Sequence, residues 1–258
     1  GDNLPAIDLG SGRTATAIAT SAYSTVAILD NGTVKAWGRN SEGQCGQGHA
    51  NTIGDGSGEM GDNLPAVDLG SGRTATKISG GLYIISAILD NGTLKAWGRN
   101  SEGQCGQGHT NNIGDGSGEM GDNLPAIDLG SGRTATAISA MGYTSMALLD
   151  NGTVKAWGFN NQGQCGQGHT NNIGDGPGEM GDNLPAIDLG SGRTATAIEC
   201  GYYTAMVRLD DGTVKVWGYG NHGAHGQGHT NNIGDGSGEM GDNLSAVDLS
   251  SSSDATLE

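Results

Sequence analysis

The sequence predicts an all-β fold built from four repeats, and three observations lead to this prediction. A ten-residue stretch, Leu29 to Gly38, returns with small changes every sixty residues. In each copy, alternating apolar residues flank an Asn-Gly or Asp-Gly pair, which is the strongest short-range signal for a β-hairpin. The 258 residues include 50 Gly and only one Phe, which excludes a conventional aromatic core. Because one such repeat cannot bury its apolar face alone, it must pack against its neighbours.

Each repeat is predicted to hold four short strands, here called D, A, B and C in chain order. The Asn-Gly pair between strands B and C predicts a type I′ turn with two residues at positive φ. Four-stranded antiparallel units repeated along a chain are typical of β-propeller blades. The sequence leaves a closed ring and an open stack as alternatives. In the first repeat the predicted strands are Leu4–Leu9, Ala15–Ile18, Ser24–Leu29 and Thr33–Trp37, and the repeats are 1–60, 61–120, 121–180 and 181–240, followed by a final strand and capping tail at 241–258.

The residues after strand B resemble a known repeat family. Leu149 to Gly168 reads LDNGTVKAWGFNNQGQCGQG, which is similar to the repeat of the regulator of chromosome condensation family. The resemblance covers all four repeats and implies blades of a β-propeller; propellers of that family typically have seven. This chain departs from the family pattern before strand B and at Cys45, Cys105, Cys165 and His225, where the family usually has Leu. Members of the family differ in function, so the resemblance implies an architecture and no activity.

One Trp occurs in strand C of every repeat, next to a Gly. A residue that every blade requires is more simply a packing residue between blades than a ligand platform. The tyrosines that precede strand B are interpreted in the same way. The predicted interface tryptophans are Trp37, Trp97, Trp157 and Trp217, and the tyrosines are Tyr23, Tyr83, Tyr143 and Tyr203.

The four cysteines leave three states open: free, bridged or metal-bound. Three of them are equivalent by repeat, and the favoured interpretation is that they are buried as small apolar residues in place of Leu. A four-fold ring would relate three cysteines and one histidine as a formal Cys₃His zinc set, although their spacing differs from that of common zinc sites. The residues concerned are Cys45, Cys105, Cys165, Cys200 and His225.

A long Gly-rich loop after strand C carries oxygen-bearing side chains at short intervals. Calcium prefers six to eight oxygen ligands, and Gly lets alternate residues converge on an ion. The sequence therefore gives calcium as a candidate cofactor, against the alternative of a solvated acidic loop held by Asx-turns. The candidate ligands are Asp55, Ser57, Glu59, Asp62, Asp115, Ser117, Glu119, Asp122, Asp175, Glu179, Asp182, Asp235, Ser237, Glu239 and Asp242.

Asn-Gly-Thr sequons occur at three hairpin tips, and the fourth copy has Asp211 instead. They are glycan sites only if the chain is secreted by a eukaryote, and a turn role for Asn is the favoured interpretation. The candidate positions are Asn31, Asn91 and Asn151.

Charge and hydropathy exclude several function classes. A net charge of −16 disfavours nucleic-acid binding. No apolar run is long enough for a membrane span, and no leader pattern is present, which predicts a soluble chain. The carboxylates recur in equivalent surroundings in every repeat, whereas an active site needs one distinctive constellation, so we expect no enzyme activity.

Two function classes survive. The first is a self-associating structural protein of an extracellular or cell-surface array, and the second is a module that binds a protein or glycan through the variable loops. Five D segments for four A-B-C sets leave one D strand without a partner, which predicts head-to-tail strand donation and filaments. The variable loops are Ser21–Thr25, Gly81–Ser86, Met141–Met146 and Tyr202–Val207.

Overall fold

The computed structural model describes residues 3–249 and shows four three-stranded antiparallel sheets, which we call blades 1 to 4. In each blade the strands lie in chain order, with strand B in the middle. Five short 3₁₀ turns lie in the connections, at Gly61–Asn63, Gly121–Asn123, Gly181–Asn183, Asn221–Gly223 and Gly241–Asn243. The strands are β1 Ala15–Thr20, β2 Ser24–Leu29, β3 Val34–Gly38, β4 Ala75–Gly80, β5 Ile84–Leu89, β6 Leu94–Gly98, β7 Ala135–Met141, β8 Thr144–Leu149, β9 Val154–Gly158, β10 Ala195–Cys200, β11 Thr204–Leu209 and β12 Val214–Gly218.

The B–C hairpin forms where the sequence predicts it, but the predicted type I′ turn is wrong. Gly32 has φ +77°, whereas Asn31 does not have a positive φ. The Gly32 amide donates to the Leu29 carbonyl, and the Leu29 amide donates to the Thr33 carbonyl. This is a three-residue loop with a type I turn followed by a left-handed glycine. The Asn31 side chain accepts from the Thr33 amide and hydroxyl, a role that Asp211 fills equally well in blade 4.

The D segments are not regular strands, so the prediction of four-stranded blades is wrong. Segment 64–69 lies along strand β3 of blade 1 and makes one ladder bond, from the Val67 amide to the Val34 carbonyl at 2.8 Å. The pairing is equally limited in segment 244–249, where Ser245 stands in place of the proline, so proline is not its cause. The same single bond recurs in the later blades, so each blade receives its outer segment from the following repeat; the bonds are Ile127 to Leu94, Ile187 to Val154 and Val247 to Val214.

The blades pack against one another in chain order. Strand A of each blade lies on strands A and B of the preceding blade, as β4 lies on β1 and β2. One continuous apolar core runs through the four blades. The outward faces of blades 1 and 4 remain exposed: Ile18 is 74% exposed on the first, and Met206 is 40% exposed on the last. The described residues therefore form an open arc.

Among residues 3–249, no helix is long and apolar enough to cross a bilayer.

Candidate protein-interaction surface

One rim of the arc carries the A–B loops and the residue that follows each strand C. Strand C ends beside the A–B loop because the three strands are antiparallel. In blade 1 the Arg39 amide donates to the Tyr23 carbonyl at 2.9 Å, and this bond recurs in every blade. It holds one aromatic residue of the loop next to the side chain that follows strand C. We call this end of the blades the A–B rim.

A glycine at the end of strand C allows this close approach. Gly38 has φ +109°, and a Cβ at this position would lie 2.5 Å from the Tyr23 carbonyl oxygen. Any larger residue would push the loop away from strand C. The Trp-Gly pair of each repeat thus places the rim aromatics as well as the tryptophan.

The side chains of the A–B rim form a continuous ladder across all four blades. In blades 1 and 2, the rings of Tyr23 and Tyr83 stack with centroids 5.5 Å apart, and the Arg39 guanidinium lies 5.4 and 5.2 Å from them. Arg99 then joins Tyr83 to Tyr143, at 5.9 and 4.8 Å from their centroids. We call the whole set the aromatic ladder; its members are Tyr23, Arg39, Tyr83, Arg99, Tyr143, Phe159, Tyr202, Tyr203 and Tyr219.

The ladder continues without arginine in blades 3 and 4. Phe159 lies 6.3 Å from Tyr143 and 6.2 Å from Tyr203, between ring centroids. Tyr202 and Tyr203 meet edge to face at 4.5 Å, and Tyr219 lies 5.9 Å from Tyr203. Edge-to-face and offset contacts at these distances are favourable for aromatic pairs. The ladder includes all 6 tyrosines and the only phenylalanine of the chain.

The ladder is accessible, and the hydroxyls of Tyr83 and Tyr202 are neutral at pH 7. Tyr23 is 54% exposed and Tyr202 is 43% exposed, although both are large and partly apolar. Burial raises the pKa of Tyr202 and of Tyr83, and neighbouring tyrosines raise them further. The rim thus offers aromatic faces, neutral hydroxyl groups and two cations.

The opposite rim, at the hairpin tips, has a different chemistry. Arg13 pairs with Asp30 there at 3.3 Å, and the pair recurs in each blade. The three predicted glycan positions, Asn31, Asn91 and Asn151, lie on this rim and are exposed. Its arginines are already paired with carboxylates, whereas Arg39 and Arg99 face aromatic rings.

The tryptophans lie between blades. Trp97 is fully buried, and its indole donates to the Gln44 carbonyl of blade 1 at 3.1 Å. Trp157 and Trp217 make the same bond to Gln104 and Gln164. Trp37, which no earlier blade covers among residues 3–249, is only half-buried.

The predicted calcium ligands lie in separate loops, one for each repeat. In the second loop a single oxygen of Glu119 accepts from the Gly114 and Gly116 amides, each at 2.8 Å. Asp122 instead accepts from the Ser71 amide and hydroxyl. Within residues 3–249, no group of three or more His, Cys, Asp or Glu could hold a metal ion. Calcium binding stays a prediction; a melting temperature that rises with Ca²⁺ and falls with chelator would support it, and an unchanged one would contradict it.

The pKa values of the loop carboxyls divide into two groups. The Ser11 hydroxyl and amide lower the pKa of Asp62, and equivalent serines lower those of Asp122, Asp182 and Asp242. Burial, with a nearby glutamate, raises the pKa of Asp115, Asp175 and Asp235. These three loops lie under the preceding blade, whereas the loop around Asp55 is exposed.

All four cysteines are free and buried. Cys45 forms no disulfide. Its backbone amide donates to the Asn40 side chain, and this bond fixes the loop after strand C. Burial raises the pKa of the Cys45 thiol to about 12. Thiols in such surroundings are inert at neutral pH. In the fourth repeat His225 is equally buried, and its ring lies 2.8 Å from the Asn231 carbonyl.

Parts of repeats 1, 3 and 4 match models of one known repeat family. A model described as regulator of chromosome condensation (RCC1) repeat matches residues 15–44, 135–164 and 195–224, and a second with the same description matches 151–207. The chain carries RCC1 repeats. These matches agree with the resemblance seen in the Trp-Gly and Gly-Gln motifs.

Several curated proteins are similar in sequence to this RCC1-repeat chain. RCC1 domain-containing protein RUG3, mitochondrial, of Arabidopsis thaliana is 28% identical over 204 residues, or 78% of this chain and 41% of RUG3. The X-linked retinitis pigmentosa GTPase regulator homolog of Caenorhabditis elegans is 30% identical over 164 residues, or 64% of this chain and 11% of that protein. The chain therefore spans less than half the length of either relative.

Solved structures show the same fold. Yeast RCC1 (Prp20), in its complex with Kap60, superposes with a TM-score of 0.68 at 17% identity, covering 95% of this chain and 51% of Prp20. Human WBSCR16 superposes with a TM-score of 0.63 at 17% identity, covering 93% and 54%. At these identities the likeness shows the propeller fold alone.

Sequence reasoning identified the variable loops, but it interpreted their tyrosines as packing residues, whereas Tyr23 and Tyr203 are exposed, and it missed the four ladder residues that follow strand C. The position after each Trp-Gly pair holds Arg39, Arg99, Phe159 and Tyr219 in turn. A position that changes between near-identical repeats, next to an invariant pair, was an available signal for a specialised surface.

Proposed function

We propose that this chain is a protein-interaction module whose contact surface is the aromatic ladder. The observation that supports the proposal most strongly is the collection of every tyrosine and the phenylalanine on one exposed rim. In a chain with so few aromatic residues, packing alone gives no reason for this placement.

Residue type favours a protein partner. Tyrosine and arginine are enriched in the residues that contribute most to protein–protein affinity. Tyrosine presents a large amphipathic contact area at low conformational-entropy cost. The ladder rings already restrain one another through stacking, so a partner would order few further rotamers. Among proteins of this fold, yeast Prp20 is bound by Kap60 and has binding properties to Gsp1p and histones.

The two halves of the ladder favour different parts of a partner. Blades 1 and 2 offer Arg39 and Arg99 over tyrosine rings, which suits carboxylates. Blades 3 and 4 offer Phe159, Tyr202 and Tyr203, with Met141 43% exposed beside them, which suits apolar residues. We infer that the partner segment is acidic at one end and apolar at the other. Repulsion by the remaining acidic surface restricts an acidic segment to the arginine half.

Matched arginine variants test this proposal. Proteins that the chain retains from a cell extract are identified and purified, and their affinities are measured by calorimetry. We expect Arg39→Ala with Arg99→Ala to weaken binding about tenfold or more, since charge-assisted and cation–π contacts each contribute about 1 kcal/mol or more. Arg73→Ala with Arg133→Ala makes the same chemical change on the opposite rim and should leave the affinity unchanged.

A second pair of variants separates the aromatic half. Tyr202→Ser with Tyr203→Ser should also weaken binding, with unfolding midpoints measured to confirm that blade 4 remains folded. Equal affinity of both ladder variants and the parent chain would reject the ladder as the contact surface.

A further inference from the structure

The segment Leu4–Leu9 has the residues of a blade edge but no strand to lie on among the described residues. Its end is held in place, because the Asp8 carbonyl accepts from the Gly61 amide and the Leu9 carbonyl accepts from the Lys35 ammonium. Leu4 and Ile7, however, are 81% and 59% exposed. Their counterparts Leu64 and Val67 are buried against blade 1.

The front face of blade 1 is equally uncovered. Ile18 is exposed there, whereas Ile198, its counterpart in blade 4, is buried against blade 3. Trp37 is half-buried, whereas the three later tryptophans are completely buried. Together with Leu4 and Ile7, these side chains form an apolar surface that is continuous with the inner faces of the propeller. We call it the front face.

The back face of blade 4 is the complementary surface. Met206 is exposed there, while Met146, its counterpart in blade 3, is fully buried under blade 4. Segment 244–249 lies along β12, and its Leu249 is 73% exposed, whereas Leu189 is buried. Each exposed apolar group of this back face is thus one that an additional blade covers elsewhere in the arc.

The three junctions inside the chain show how a front face meets a back face. The tryptophan indole of one blade donates to the carbonyl at position 44, 104 or 164 of the preceding blade. An asparagine of the later repeat donates to Glu42, Glu102 or Gln162 at 2.8–2.9 Å. At the two ends of the arc, Trp37 is the counterpart of the donor tryptophans, and the Ala224 carbonyl is the counterpart of the acceptor carbonyls. Thr52 stands at the position of the asparagine donor, and His222 at the position of its side-chain acceptor. Donor and acceptor types are therefore still available at the ends.

The size of the arc determines what can close it. The four described blades superpose on 51% of the Prp20 chain and 54% of the WBSCR16 chain, so they match about half of each of these two propeller chains. Two arcs of four blades make eight, which is within the range of known propellers. We propose that two copies of this chain join front face to back face at both ends and close one propeller ring.

Strand exchange makes this closure possible. Segment 4–9 of one copy takes the place of segment 244–249 on β12 of the other copy and continues into β1, as each inner D segment continues into the next blade. The two segments differ at only two positions, with Pro5 and Ile7 replaced by Ser245 and Val247. The incoming segment takes over the contacts that segment 244–249 makes on β12, and segment 244–249 is released from that strand. The gain is the apolar surface of the front and back faces, which becomes buried.

Light scattering during size exclusion tests the proposal on the full chain. We expect a mass of twice 25.9 kDa that returns to the monomer mass on dilution. Ile7→Asp with Ile18→Asp alters only exposed front-face residues, and Met206→Asp alters the back face, so each variant should be monomeric. Met141→Asp places the same charge on an exposed methionine of the A–B rim, and this control should have the mass of the parent chain.

Mixing the variants tests the head-to-tail geometry. The front variant retains an intact back face and the back variant an intact front face, so an equimolar mixture should form a 1:1 complex through one junction. Unfolding curves confirm that each variant is folded. A parent chain that stays monomeric at the highest concentration reached, or a single variant that still dimerises by itself, overturns the proposal. A mass larger than that of two copies would indicate an open filament instead of a closed ring, and this result would also overturn the proposal.

Discussion

Inner and outer blades have almost the same sequence but different surroundings. Strands β5 and β8 are buried along their whole length, because blades lie on both sides of them. In β11 of blade 4, burial alternates along the strand, with Met206 and Arg208 exposed. The position of Arg208 holds Ile28, Ile88 or Leu148 in the earlier blades. The comparison teaches that the burial of strand B depends on whether a following blade covers it rather than on the repeat itself, since β2 of blade 1, covered by blade 2, is buried almost throughout.

The largest expected difference concerns the tryptophans. We expect Trp157→Ala to lower the free energy of unfolding by about 3–5 kcal/mol, since a large, fully buried side chain is removed. Trp37→Ala removes a half-buried side chain and should cost about 1–2 kcal/mol. Denaturant unfolding of both variants measures the difference. Equal losses would show that the front face of blade 1 is as well covered as an inner junction.

The hairpin glycines provide a second test of the same comparison. Gly152 and Gly212 both have positive φ, but a Cβ at Gly152 would lie 2.7 Å from the Thr194 Cβ, and one at Gly212 would meet nothing within 4 Å. We expect Gly152→Val and Gly212→Val each to cost at least about 1 kcal/mol from backbone strain. Gly152→Val should cost more, because it also clashes with the next repeat. A parent-like stability of both variants would contradict the turn geometry.

The sequence was sufficient to predict strands A, B and C of each blade, but it did not predict how the D segments lie along them. The sixty-residue period and the flanking apolar runs fixed strands A, B and C, because local pairing determines them. These patterns did not reveal that each D segment makes only one ladder bond with its blade. The turn type was missed because the Asn31 side chain binds Thr33, which makes a positive φ at Asn31 unnecessary.

The aromatic ladder was only half predictable for another reason. Tyr23 and Arg39 are sixteen residues apart and meet Tyr83 of the next repeat only after the blades have packed. No periodicity within one repeat encodes such a contact. Trp97 belongs to the opposite case, since its place beside a glycine in every repeat already indicated a packing role.

The stability that the Ser–Asp hydrogen bonds contribute should depend on pH in the same way in inner and outer blades. Ser11 of the first repeat binds Asp62 of the second, as Ser131 of the third binds Asp182 of the fourth. Both carboxyls have a lowered pKa in the folded state, so their stabilisation is present above the ordinary carboxyl pKa of about 4 and is lost as the pH falls below it. Ser11→Ala and Ser131→Ala should therefore lose similar stability at pH 7 and less at pH 3, because the stabilisation disappears as the pH falls through the lowered pKa. Thermal unfolding at the two pH values measures this, and a larger loss for Ser131→Ala would extend the inner–outer difference to these bonds.

The smallest expected effect concerns the aspartates under the preceding blade. Burial raises the pKa of Asp175, so its ionised form is disfavoured in the folded state at pH 7. Asp175→Asn should therefore slightly raise the melting temperature at pH 7 and have no effect below the carboxyl pKa, where the parent residue is already neutral. Asp55→Asn makes the same change in the exposed loop of repeat 1 and provides the matched control. A gain at Asp55 equal to that at Asp175 would contradict the role of the covering blade.

Each blade is completed by a segment of the following repeat, and this arrangement has a consequence for how such chains change in length. Because Leu64–Leu69 completes blade 1 while it also leads into blade 2, no cut between two residues separates one blade from the next. A duplication or deletion of sixty residues nevertheless preserves every junction, wherever in the repeat its endpoints fall. Unequal recombination between near-identical gene segments can therefore lengthen or shorten the array by whole blades without any compensating substitution.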